Sequence, residues 1–323
     1  MMQIKKFLWY MWTYFKKYKT VFLKYYRNLS TNSTPYICIN LRLNIHSLEK
    51  GMSLCNTKSG FGKEKAEKII ELLKKYKSIN TDYDYSAYLL GIDMLNTYYN
   101  YMLELGIRYD FVQEALNEID KKTANNTANN TANNTGIYNL NKEQLYETIS
   151  DFASFTRSRH SIRYFSKEEL NLKKIIMSIE LSQTAPSACN RQSCSVYVVK
   201  ELDKLNRLVK MFKGTAGLEN IQAILCIVSD LNHYCGISQS NVQYVDGGIF
   251  TMNLLHSLHY YEIATCPLIW SESYETLKVL HDILGINDNY VGICAIAIGN
   301  YPVGTFKVAK SHRRESHQII HII

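Results

Sequence analysis

Two short polar stretches in the second half of this chain hold residue types suited to gripping an anionic, hydrogen-bonding ligand. The first is Arg157-Ser-Arg159-His160-Ser161-Ile162-Arg163. Arginine presents a planar fork of N–H donors that matches phosphate oxygens, and serine adds a hydroxyl without bulk. A solvated basic turn is the plainer reading of the same residues. The second is Ala185-Pro186-Ser187-Ala188-Cys189-Asn190-Arg191-Gln192. Proline ends the preceding helix. Asn and Gln then offer amide donors and acceptors beside a strand, a set able to read a ring with donors and acceptors of its own. An ordinary helix-to-strand loop competes with that reading.

The elements that must position these residues follow from hydrophobic spacing. Strands are predicted at 195–200, 221–229 and 292–299, where β-branched apolar runs are bounded by polar or glycine positions. Helices are predicted at about 141–155, 168–184, 203–213, 241–261 and 273–284. Strands separated by helices point to a sheet flanked by helices. Before them, helical spacing occupies 63–77, 85–105 and 108–122. The tract from Thr123 repeats Thr-Ala-Asn-Asn and ends at Thr135. It contains no core-forming residue and cannot offset the entropy of ordering, so it reads as a linker. The domain plan is therefore a basic segment 1–30, a helical extension 31–122, a linker 123–136 and a mixed domain 137–323.

The chain has 323 residues, 46% hydrophobic and 20% charged, which excludes wholesale disorder. Its net charge of +8 invites a nucleic-acid reading. No Asp or Glu precedes Glu49, however, so much of the excess sits at the N-terminus and no nucleic-acid partner is expected. There Lys5, Lys6, Lys16, Lys17, Lys19, Lys24 and Arg27 alternate with Trp9, Trp12, Tyr14, Phe15 and Phe22. Two readings stand: peripheral contact of residues 1–30 with an anionic membrane, or packing of the aromatic side on the protein or on a second copy. The apolar run 7–15 is too short to span a bilayer. Eight cysteines include no C-x-x-C pair and several lie in apolar runs, which fits a reducing, cytoplasmic setting.

Arg159-His160-Ser161-x-Arg163, followed by Pro186-Ser187-x-x-Asn190-x-Gln192 before a strand, resembles the nitroreductase superfamily. The likeness continues in Asp246-Gly-Gly-Ile-Phe-Thr-Met-Asn253, similar to that family's long central helix, and in Thr265-Cys-Pro-Leu-Ile-Trp270. Ala295-Ile-Ala-Ile-Gly299-Asn-Tyr-Pro302 and the basic Lys310-Ser-His-Arg313-Arg314 complete it, so that it covers about 150–323. The resemblance implies an α+β fold with a mixed or antiparallel sheet flanked by helices. It implies a homodimer that binds FMN, uses NADH or NADPH, and reduces a small acceptor by ping-pong transfer through the flavin N5. Arg159, His160, Ser161 and Arg163 would take the phosphate and ribityl chain. Pro186, Ser187, Asn190 and Gln192 would line the ring, some from the partner subunit, and Lys310, Arg313 and Arg314 would close on the phosphate. No catalytic acid or base and no metal is implied. The family continues Gln-Pro-Trp where this chain has Gln192-Ser193-Cys194, a departure that also suits a nonenzymatic member acting as a scaffold.

Three features remain. His46-x-x-Glu49-Lys50-Gly51 with Gly60-Phe-Gly62 is similar to an extension found on some nitroreductase-like proteins, and its residues read as an ion pair and a turn. His256 and His259 lie three apart on a predicted helix, without an evident third metal ligand, and read as a face at the dimer interface. Cys189 and Cys194 flank the polar loop.

Overall fold

The computed structural model describes residues 7–9, 11, 12, 15, 33–57, 60–79, 84–120, 135–212, 214–234, 239, 241–269 and 274–323. The chain divides into two units, one formed by Met1–Tyr138 with Lys307–Ile323, the other by Asn139–Phe306. Most of segment 1–30 and nearly all of the Thr-Ala-Asn-Asn tract lie outside the described residues.

The first unit packs four helices, α1 (Thr34–Met52), α2 (Lys63–Ile79), α3 (Tyr85–Glu104) and α4 (Asp110–Asp120). Ser33 caps α1 by accepting the N–H of Tyr36, with proline in the first turn. Leu41, Leu48 and Met52 of α1, Ile69 and Leu73 of α2, and Leu95 and Tyr98 of α3 form its buried seam. This core assembles residues three and four apart, as amphipathic spacing requires. Helix α1 lies within the extension 31–122 but outside the helical runs that spacing predicts at 63–77, 85–105 and 108–122.

The second unit contains α5 (Lys142–Glu147), α6 (Phe152–Ser158), α7 (Leu172–Ser182), β2 (Cys194–Val199), α8 (Leu202–Met211), β3 (Ala223–Asp230), α9 (Val242–Tyr260), β4 (Ile263–Leu268), α10 (Tyr274–Leu284) and β5 (Tyr290–Asn300). Strands β1 (Ile137–Asn141) and β6 (Thr305–Ala309) form a separate two-stranded sheet. The main sheet has the order β2-β3-β5-β4, and every neighbouring pair is antiparallel. The architecture is α+β with antiparallel sheets.

Central strand β3 is buried along almost its whole length, because both faces are covered by helices. Leu225, Ile227, Ile296 and Ile298 on one face meet Ile175 of α7 and Leu254 and Leu258 of α9. Helices α8 and α10 contact each other and cover the opposite face. Gly247 lets α9 approach the sheet, since a Cβ there would fall 2.6 Å from the Ile293 side chain.

Two departures from the spacing have physical causes. The predicted helix 141–155 is two helices, because Asp151 and Ser154 form a reciprocal capping box that starts α6 afresh. Strand β4 was not anticipated, since Pro267 argues against a strand interior. The strand lies at the sheet edge, where a missing donor is tolerated.

Candidate functional site

The loop between α7 and β2 is built against backbone preference. Cys189, Asn190 and Gln192 all have φ between 51° and 55°, the left-handed region that side-chain-bearing residues avoid. Local bonds hold it there. Gln192 N–H donates to Ser187 Oγ at 3.0 Å, and Asn190 N–H donates to the Ser187 carbonyl at 2.9 Å. From α9, the buried Asp246 accepts the N–H of Ala188 at 3.1 Å and the hydroxyl of Tyr234 at 2.9 Å. Ser193 Oγ lies 2.6 Å from the Tyr234 hydroxyl and 2.9 Å from Ser229 Oγ on β3. The Arg191 guanidinium stands 5.5 Å from the Tyr234 ring centre and donates to Gln239.

This loop walls a cavity of about 370 Å³ whose lining includes Pro186, Ser187 and Gln192, with Asp246, Ile179 and Phe250 opposite. No Lys, Arg or His is among the described lining residues. Asn190 sits on the same loop but outside the lining, exposed. The Cys194 thiol, also in the wall, is pushed up to about 11 by burial, which its bond with Ser193 opposes and the Asp246 charge reinforces. It is therefore protonated at neutral pH and a poor nucleophile.

The arginine segment leaves the end of α6 in extended form beside β4. Ile162 N–H donates to the Thr265 carbonyl at 2.8 Å, and Ser161 bridges Thr265. Downstream, Phe165 N–H donates to Glu219, and Glu219 N–H donates to the Arg163 carbonyl. Arg159 and His160 are half-buried and Ser161 likewise, whereas Arg163 is only 6% exposed. None of the four lines the 370 Å³ cavity.

Behind Arg159 stands His259 of α9, buried between Ser158 Oγ at 2.8 Å and the hydroxyls of Tyr146 at 3.1 Å and Tyr301 at 3.2 Å. Burial, followed by the charges of Arg159, His160 and His256, brings its pKa down to about 4. His256 is lowered for the same reasons, burial first and Arg159 second. His259 is thus an interior hydrogen-bonding group, not part of an exposed interface face. Among the described residues no group of three His, Cys, Asp or Glu could hold a metal.

The three basic residues near the C-terminus belong to the first unit. Lys310 donates its N–H to the Gly136 carbonyl and places its ammonium 5.3 Å from the Tyr138 ring centre. Arg313 donates to the Ser311 carbonyl. Burial would raise the Asp84 pKa, but bonds from Arg42 and Ser86 and the charges of Arg42 and Arg314 bring it below its ordinary value. The candidate residues thus lie on three chain segments, the loop and the arginine segment in the second unit and the C-terminal cations in the first.

The first unit also explains the Glu49 motif. Glu49 is buried in α1 and accepts the Gly136 N–H at 3.1 Å. Asp93 of α3, equally buried, accepts both the N–H and the hydroxyl of Thr135 at 2.9 Å. The two carboxylates clasp the residues that end the repeat tract. Gly51 lies in the last turn of α1, against the Phe61 ring, rather than in a turn between elements. Sequence reasoning missed Asp93, and it named Asp246 only as part of the central-helix motif, because nothing near either residue in the chain announces a partner 42 or 58 positions away.

Residues 156–224 match the model of the nitroreductase family. A protein of Archaeoglobus fulgidus described as "Putative NADH dehydrogenase/NAD(P)H nitroreductase" is 27% identical over 150 residues, covering 45% of this chain and 82% of that protein. Among solved structures, an FMN-dependent nitroreductase from Clostridium difficile is 18% identical, with 52% of this chain and 96% of that one covered and a TM-score of 0.44. A nitroreductase family protein from Streptococcus pneumoniae is 19% identical, with coverages of 54% and 100% and a TM-score of 0.47.

Proposed function

We propose that this chain, whose second unit carries nitroreductase-family sequence, is an FMN-dependent NAD(P)H oxidoreductase acting as a homodimer. The observation that carries the reading is the 187–192 loop. Three non-glycine residues are held there in left-handed conformations, beside a cavity into which Pro186, Ser187 and Gln192 face. Backbone held against preference around a concave site is a mark of ligand binding.

The donor set suits the cofactor. Ser187, Asn190 and Gln192 would hold the polar edge of the flavin ring, with Pro186 covering it. Its phosphate fits poorly in a cavity whose described wall has a carboxylate and no cation. Arg159, Ser161 and Arg163, with His160 beside them, would take that phosphate instead, with Lys310, Arg313 and Arg314 as further cations. The arginine segment does not line the 370 Å³ cavity that the loop walls, which favours a site shared between two copies. Val245, Ile249 and Met252, 57%, 42% and 43% exposed on one side of α9, give a second copy an apolar face to cover.

Bound flavin supplies two-electron chemistry at N5, in a ping-pong sequence with NADH or NADPH as reductant and a small molecule as acceptor. The chain's own part is binding and orientation, so no residue is assigned as acid or base. Phe7, Leu8, Trp9, Met11, Trp12 and Phe15 are exposed, and among lysines they suit peripheral contact with an anionic bilayer. No helix among the described residues is long and apolar enough to cross a membrane.

The deciding measurement is the visible spectrum of the purified chain, with FMN identified by mass and NAD(P)H oxidation followed with a quinone. A colourless protein that ignores added FMN overturns the reading. A yellow protein without NAD(P)H oxidation would make it a flavin-binding scaffold.

A further inference from the structure

We infer that Asp246 is a positioning residue that sets the 187–193 loop, and through it the aim of Asn190 and Gln192, for the flavin of the proposed function. The inference rests on that reading for its ligand but not for its geometry.

Asp246 is 4% exposed, and a carboxylate so buried must be matched by donors. It has them at both ends of the loop. Oδ1 accepts Ala188 N–H directly. Oδ2 accepts the Tyr234 hydroxyl, and the remaining bonds then acquire a direction. A carboxylate can only accept, so Tyr234 spends its single proton on Asp246. The Ser193 hydroxyl, 2.6 Å away, must donate to the Tyr234 oxygen, and Ser229 must donate to Ser193. The chain Ser229 to Ser193 to Tyr234 to Asp246 is oriented throughout by the negative charge at its end, which strengthens each bond in it.

Between the two anchors, Ala188 and Ser193, lie Cys189, Asn190 and Gln192 in left-handed geometry. Without an external hold, those residues would relax toward ordinary backbone. Asp246 supplies the hold from near the start of α9, and the next residue, Gly247, brings that stretch close to Ile293 of β5. Asp246 also lines the cavity, but both its oxygens already serve the loop and its tyrosine.

The test uses the full chain with Asp246→Asn and Tyr234→Phe, the second removing one hydroxyl and no charge. Hydrogen exchange of segment 187–193 without added flavin reads the loop directly. Fluorescence quenching reads FMN affinity, and the visible band at saturating FMN reads how the ring is held. We expect both variants to fold with a lowered unfolding temperature, since each leaves a buried group poorly matched, and the loop to exchange faster relative to strand β3 in both. FMN affinity should fall roughly tenfold to a hundredfold, the range for losing one charge-assisted bond, with a displaced band at saturation. Unchanged exchange in both variants overturns the inference. So does faster exchange with wild-type affinity and band, since the loop would then move without consequence for the ligand. If the wild-type chain binds no FMN, the flavin reading fails, and the exchange experiment alone still decides whether Asp246 holds the loop.

Discussion

Ser158 Oγ lies 2.8 Å from Nε2 of His259, tying the last residue of α6 to the end of α9 immediately before Arg159. The imidazole is neutral in the fold, with a pKa near 4 caused by burial and then by Arg159, His160 and His256. An unfolded histidine titrates near 6.5. Between those values the unfolded chain binds the extra proton, so stability falls as pH drops through 6.5 toward 4 and is full above 6.5. Thermal unfolding from pH 8 to 4 should show this acid loss, and His259→Gln should flatten it. An unchanged slope in the variant would assign the loss elsewhere.

Replacing Arg159 or Arg163 with Ala should cost FMN affinity at least about tenfold each, as expected for a charge-assisted phosphate contact. The check is flavin absorbance retained after gel filtration. Wild-type retention in both variants would remove these arginines from the site.

Asp93→Asn and Glu49→Gln should destabilise the first unit by about 1–3 kcal/mol each, because a buried bond to the 135–136 backbone is lost or weakened. Denaturant unfolding measures this.

Thiol labelling at neutral pH should separate the cysteines by environment. Cys55 and Cys189 are exposed and should modify first. Burial pushes Cys38, Cys194 and Cys294 to about 11 and Cys226 to about 12, so these should stay protected in the folded chain. Peptide mass mapping reads the order.

A charge on the apolar side of α9 should break the proposed homodimer. Ile249→Glu is expected to shift the mass in light scattering to that of one chain and to weaken flavin binding with it. A monomeric wild type would overturn the shared site.

Much of the second unit was legible in the chain. Runs such as Ile224-Leu-Cys-Ile-Val228 read as a buried strand because no polar residue interrupts them, and that strand is the sheet's centre. Pro186 marked the end of α7, and the loop after it stood out by composition. Edge strand β4 did not, because its proline is tolerated only by virtue of where the strand sits in the sheet.

Local chemistry and period belong to the sequence alone: helix and strand runs, and the polar types at 157–163 and 185–192. Tertiary structure decided what meets them. Asp246 under the loop, His259 behind Arg159, and the 307–323 segment grouped with the first unit are contacts between residues far apart in the chain. Hydrophobic spacing constrains which face of an element is buried, but not which distant donor a buried carboxylate or imidazole will find.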